Sequence, residues 1–282
     1  MPPALHRKAA GACRRGAASL SGRAGRALLA AAAGHAERWG FLGRTFLLGL
    51  EGTLAGHMNR RRLIWARITG EALQCFRASL FLASGLGLMA GFLWAIVWYG
   101  ILSNIGGTET LVSLALRIQL NEVSPFLTAF VVTASYAGPS ATRLARFRFS
   151  GCLDTLRLMG IPPSHLLAWP PFLGQLAAFP VLILFHCCFT VMGVWLGARA
   201  FASFPFTDFL GLLVSGVKAY SLFRMAVQSV LMSCALSFFS LQQPYRAPDG
   251  PGVEIPDLVR RGTIEGFFWA SLSGILVSVL YA

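Results

Sequence analysis

Five stretches of this chain contain no Asp, Glu, Lys or Arg: Ala78 to Thr108, Val123 to Thr142, Leu158 to Ala198, Met225 to Tyr245, and Gly266 to Ala282. Each runs for about 17 residues or more, and at roughly 1.5 Å of rise per helical residue that approaches or exceeds a hydrocarbon core of about 30 Å. The rest of the composition agrees. Hydrophobic residues make up 55% of the chain and charged residues 12%, with a mean hydropathy of +0.63, against roughly 45–50% apolar residues in soluble domains. The reading is an all-α integral membrane protein with about five transmembrane helices. The longest run holds five prolines, Pro162, Pro163, Pro170, Pro171 and Pro180; it fits one long or broken helix with a re-entrant start better than two tight spans.

The 24 Lys and Arg residues against 11 Asp and Glu give a net charge of +13, and half of the basic residues precede Ile68. A second basic group, Arg143, Arg146, Arg148 and Arg157, follows the second run; Arg246, Arg260 and Arg261 follow the fourth. By the positive-inside rule these segments and the amino terminus are cytoplasmic, and the carboxyl terminus lies on the other side. Nucleic acid is a poor partner for this charge. The arginines sit beside the spans with no stacking motif or metal finger, so anionic lipid headgroups fit better. The six cysteines show no CxxC spacing and read as packing residues.

Residues 1–40 are rich in Ala, Gly and Arg and read as a basic, poorly ordered tail, with an organellar transit peptide as the alternative. Residues 41–72 form an interfacial amphipathic region, too charged to span, with Gly56, His57 and Asn59 as a helix end; residues 73–282 form the transmembrane domain. In the first run, Gly87 and Gly91 have the GxxxG spacing that permits close helix contact, and a dimer seam is one use of it. Trp94, Trp98 and Tyr99 suit the outer headgroup region.

Glu122 before Pro125 places a carboxylate beside the positive dipole end of a helix. Further on, Phe149, Leu153, Leu156 and Gly160 fall at i, i+4, i+7 and i+11. That spacing predicts an amphipathic helix of about three turns, stopped by Gly160 and Pro162–Pro163. Such a helix docks in a partner's groove or lies at the membrane surface. No HExxH, GxSxG or Gly-rich phosphate loop is present, which argues against catalysis by this chain. Glu265 has Arg224 as a candidate intramembrane partner.

Two stretches carry a family likeness. NEVSPFLTAFVVTASYAG resembles RELGPxxTAxxxAGRxG of the MlaE/YrbE-type permeases, matching at Glu122, Pro125, Thr128, Ala129 and Gly138. LDTLRLMGIPP resembles that family's IDALExMGxDP, matching at Asp154, Leu156, Met159, Gly160 and Pro163. A third likeness is positional: WARITGEALQCFRASLFLASGLGLMAG, residues 65–91, falls where the family has its first helix, with a similar small-residue rhythm. The resemblance is to a divergent member: Tyr136 stands where the first pattern has arginine, Arg143 lies near a position where the family has an acid, with one residue fewer in between, and Ser150, Gly151 and Cys152 stand where it has TEQ.

The resemblance implies five transmembrane helices, an amino-terminal interfacial (elbow) helix and a cytoplasmic coupling helix. It implies a permease subunit that moves phospholipid between membranes as a dimer with a second copy or a paralogue. A separate cytoplasmic ATPase would bind ATP and Mg, an MCE-domain protein would sit on the opposite face, and this chain would hold no cofactor. Leu153, Asp154, Leu156, Arg157 and Met159 would couple to the ATPase, Glu122 and Pro125 would shape the inner end of the lipid path, and Leu88, Phe92 and Val97 would line the lipid pocket. The implied location is a bacterial inner membrane, with a plastid inner envelope as the alternative. A membrane scaffold that assembles an MCE complex without transport is the rival function.

Overall fold

The computed structural model describes residues 58–105, 117–160, 163–201, 219–246 and 254–281, together with 207, 209 and 211. The basic tail and most of the expected interfacial region lie outside them. Among the described residues the chain is helical nearly throughout, with no strand. The α-helices are α1 (Met58–Ile105), α2 (Ser124–Val132), α3 (Gly138–Phe149), α4 (Cys152–Leu158), α5 (Trp169–Phe201), α6 (Ala219–Arg246) and α7 (Ile255–Leu280). Four helices are long and apolar enough to cross a membrane, over Ile64–Trp98, Leu166–Ala200, Tyr220–Tyr245 and Ile255–Leu280. The second expected span is also helical from residue 117 to Phe149, but π turns at Gln119–Val123 and Thr133–Ala137 divide it.

These wide turns follow from proline. A proline in a helix has no N–H for the carbonyl four residues earlier, and its ring clashes with that carbonyl. Widening the preceding turn relieves the clash. Each π turn lies just ahead of such a residue: Gln119–Val123 before Pro125, Thr133–Ala137 before Pro139, and Ser164–Ala168 before Pro170 and Pro171. The longest uncharged run is therefore a single membrane helix with a wide first turn. Pro180 sits inside α5 without ending it.

Helix α1 packs along α5, α6 packs along α7, and the α2–α3 rod touches all four. The core where they meet contains Ala129, Val132 and Tyr136 from the rod, Phe179, Leu182 and Ile183 from α5, Met232 and Leu236 from α6, and Ala270 from α7. Large apolar side chains also face outward, among them Phe81 at 85% exposure and Val279 at 69%. In water such a surface would be costly, but lipid is its natural solvent.

Small residues set the close contacts. A Cβ on Gly91 would stand 2.1 Å from the Thr190 carbonyl oxygen, and one on Gly193 would stand 2.2 Å from that of Leu88. Gly87 faces the His186 carbonyl in the same way. The GxxxG of α1 is thus spent inside the chain against α5, and a dimer seam is not its use in this structure. A second ladder, Gly262, Gly266, Ala270 and Gly274, lies buried on α7 against α6. Polar side chains tie the same helices together: Ser79 and Ser135 share a 2.7 Å hydrogen bond, His186 Nδ1 lies 2.9 Å from the Ala83 carbonyl, and Ser233 donates to the Gln175 carbonyl.

Candidate functional site

Helix direction sorts the polar groups into two ends. The start of α1, the end of α3, α4 and the start of α5 share one end, with Arg143, Arg146, Arg148 and Arg157 on it. The start of the α2–α3 rod, the start of α6 and the end of α7 share the other.

At the basic end, α4 is bracketed by Gly151 and Gly160, whose φ values of 71° and 72° are strained for any residue with a side chain. Gly151 reverses the chain after α3 and its carbonyl accepts from the Asp154 and Thr155 amides. The expected three-turn helix is therefore only seven residues long, and Phe149 belongs to α3. The apolar stripe that linked Phe149 to Leu153 in the sequence does not survive a left-handed glycine between them. Leu153 is fully buried in its own chain, Leu156 is half-buried, and Asp154 and Arg157 pair with each other at 2.9 Å in the open. The exposed apolar tip is Leu158, at 90%, with Met159 at 59%. Met159 was among the expected coupling residues, and Leu158 was not.

At the same end, Glu71 of α1 ties that helix to the α2–α3 rod. Its Oε2 accepts from Tyr136 Oη at 2.7 Å and from Arg143 Nη2 at 2.8 Å, and its Oε1 accepts from Arg143 Nη1 at 3.3 Å. Arg143 Nη1 also donates to Gln74 Oε1 at 3.0 Å. Tyr136 is 2% exposed, so its hydroxyl needs this partner. The second π turn carries Tyr136 toward α1. Tyr136 and Arg143, two of the departures from the family pattern, converge on one carboxylate. Sequence reasoning missed this cluster, although Glu71 is the only acid between residues 52 and 108 and so marks itself out.

The third π turn adds a cation. Pro170 cannot donate to the Leu166 carbonyl, and Arg67 Nη1 donates to it instead at 3.3 Å. Between α1, α3 and this turn lies a cavity of about 430 Å³, with Arg67, Glu71 and Arg143 beside Leu144, Phe147 and Leu166.

At the far end, Glu122 in the first π turn accepts from Arg224 of α6 and from the Ser278 hydroxyl of α7. Arg224 thus pairs with Glu122, in place of the expected Glu265. Glu265 accepts from Gln243 Nε2 at 3.0 Å. Gln243 and Arg224 are 19 residues apart on α6, about 28 Å along a helix, so Glu265 and Arg224 belong to opposite ends. Pro125 is buried in the first turn of α2. Glu122 and Pro125 therefore sit at the end away from α4, where an inner position had been expected. Of the three pocket candidates, Leu88 is half-buried beside Gly193, while Phe92 and Val97 are exposed on α1 at 38% and 54%; none of the three lines the basic-end cavity.

No curated protein matches the chain. Residues 68–280 match the model of the family described as Permease MlaE. That match runs from the first turns of α1 to the last residue of α7 and includes both polar ends, and on it the chain belongs to the MlaE permease family.

Proposed function

We propose that this chain is the membrane subunit of an MCE-associated ABC transporter that moves phospholipid between membranes, with hydrolysis of Mg-bound ATP supplied by a separate cytoplasmic ATPase. A second copy or a paralogue completes the lipid path, and an MCE-domain protein sits at the Glu122 end. On this reading the basic end is cytoplasmic, in the inner membrane of a bacterium or the inner envelope of a plastid, and this chain itself binds no cofactor.

The observation that carries the reading is the division of labour in α4. Leu153 anchors the helix in the chain while Leu158, Met159, Asp154 and Arg157 project from it. A small exposed apolar tip flanked by opposite charges is suited to a groove in a soluble partner. Leu158→Asp with Met159→Asp removes the tip and leaves the Leu153 anchor in place. Gentle-detergent purification of the wild type should bring down an ATPase and an MCE protein, and the double variant should lose only the ATPase. If neither form brings down an ATPase, the coupling role is wrong.

The scaffold alternative has one observation in its favour. Tyr136 and Arg143, two of the departures from the family pattern, bond to Glu71 of the same chain and make an internal brace. ATP turnover in the assembled complex that ignores charge reversal at Asp154 and Arg157 would favour the scaffold.

A further inference from the structure

The cavity at the basic end has no part in the lipid path proposed above. We infer that it is a binding site for the headgroup of an anionic phospholipid in the leaflet at that end, held by each chain on its own whether or not the chain transports lipid.

The charge balance is the first argument. Two guanidinium groups, Arg67 and Arg143, face the cavity with one carboxylate, Glu71. Both Glu71 oxygens are engaged, one by Tyr136 and Arg143 and the other by Arg143 again. The carboxylate is neutralised where it stands, and Arg67 supplies the net positive charge. Only one of the five N–H donors of Arg67 goes to the Leu166 carbonyl. That bond holds the guanidinium at the cavity edge with donors to spare, and the carbonyl is available for it because Pro170 has no N–H to offer. Guanidinium donors in a fixed fork match phosphate oxygens.

The second argument is depth and shape. Arg67 lies one turn inside the start of the Ile64–Trp98 span, and Leu166 begins the Leu166–Ala200 span, so the cavity opens at the height of lipid phosphates. Apart from Ser140, whose hydroxyl donates to the Ala137 carbonyl, its other walls, among them Leu144, Phe147, Leu166 and Pro170, are apolar. About 430 Å³ accommodates a glycerophosphate and the head of an acyl chain, within the usual range for small-molecule sites. Basic pockets between membrane helices favour anionic headgroups. A zwitterionic lipid would bring an ammonium group with no uncommitted carboxylate to receive it.

The test uses the full chain in nanodiscs of phosphatidylcholine containing a minor fraction of phosphatidylglycerol, with retained lipids counted by native mass spectrometry. The wild type should keep one phosphatidylglycerol per chain in preference to phosphatidylcholine. Arg67→Gln should lower that retention by roughly fivefold, while Arg146→Gln, an exposed arginine of the same end outside the cavity, should not. Phe147→Glu, at a position 42% exposed, places a carboxylate in the cavity and should also expel the lipid; it serves if Arg67→Gln fails to fold, which melting in pure phosphatidylcholine discs reveals. Equal retention of both lipids by the wild type overturns the inference, as does undiminished retention in the folded cavity variants. Inorganic phosphate alone is the remaining arm. If it raises the melting point in pure phosphatidylcholine discs as far as phosphatidylglycerol does, the apolar wall plays no part and the lipid assignment fails.

Discussion

Gly85 and Gly91 lie on the same helix, six residues apart, and an added methyl group should have opposite effects at the two. Alanine is favoured over glycine in a helix interior by about 0.8–1.0 kcal/mol. A Cβ at Gly85 meets nothing within 4 Å, so Gly85→Ala should keep that gain. At Gly91 the new atom would stand 2.1 Å from the Thr190 carbonyl oxygen and 2.9 Å from the Val194 nitrogen. All of these are backbone atoms of α5, which cannot rotate away as a side chain can. The helices must part until the contact reaches the ordinary 3.4 Å. That separation also opens the reciprocal contact of Gly193 with Leu88. Overpacking of this kind costs about 1–3 kcal/mol even where neighbours can adjust, and the rigid backbone here puts the net loss at about 2 kcal/mol. In thermal denaturation of the purified protein in mild detergent, Gly91→Ala should melt about 4–8 °C below wild type, and Gly85→Ala at or above it. Equal melting of the two variants would refute the reasoning. So would a Gly91→Ala protein that melts normally but loses its oligomer, because the glycine would then face another subunit.

Glu122→Gln leaves Arg224, whose side chain is 12% exposed, without its carboxylate; the loss should be about 2 kcal/mol, between surface and buried ion pairs, and adding Arg224→Met should recover part of it. A Glu122→Gln protein with wild-type stability would show that the pair does not hold α6 to the α2–α3 rod. Tyr136→Phe removes a buried hydroxyl's bond to a charged partner and should cost about 1.5–3 kcal/mol; an unchanged melting point would count against the Glu71 brace. Pro170→Ala restores an amide that can donate to the Leu166 carbonyl, so hydrogen exchange at residue 170 should be slow and the third π turn should tighten. Fast exchange there would mean that proline does not cause the wide turn.

The membrane architecture was legible because lipid imposes a simple rule: an uncharged run long enough to cross must be a span, and the four apolar helices lie on four of the five runs. The charge pattern likewise separated the two ends. Pairing was not legible, for a physical reason. Arg224 and Glu265 look like partners when only span position is counted, but which end of the bundle each occupies depends on where in its helix it falls. The amphipathic stripe through Phe149 and Leu153 failed similarly, since periodicity carries no warning of a left-handed turn; Gly151 between them was the available signal. The Glu71 cluster joins residues 65 and 72 positions apart, and only packing brings them together. The small-residue ladder of α7, Gly262, Gly266, Ala270 and Gly274 at every fourth residue, was readable in the sequence and was missed.

The three wide turns also bear on how such a chain can change length. Inside a membrane helix, deleting one residue rotates everything beyond it by about 100° and carries its buried face into lipid. A π turn holds one residue more than the α turn it replaces, so a deletion within Gln119–Val123, Thr133–Ala137 or Ser164–Ala168 is absorbed by tightening that turn. These segments are therefore where a spanning helix can lose a residue and keep both its ends in register. Comparison of related chains should find single-residue gaps collected at these turns and scarce in the straight stretches of α5, α6 and α7.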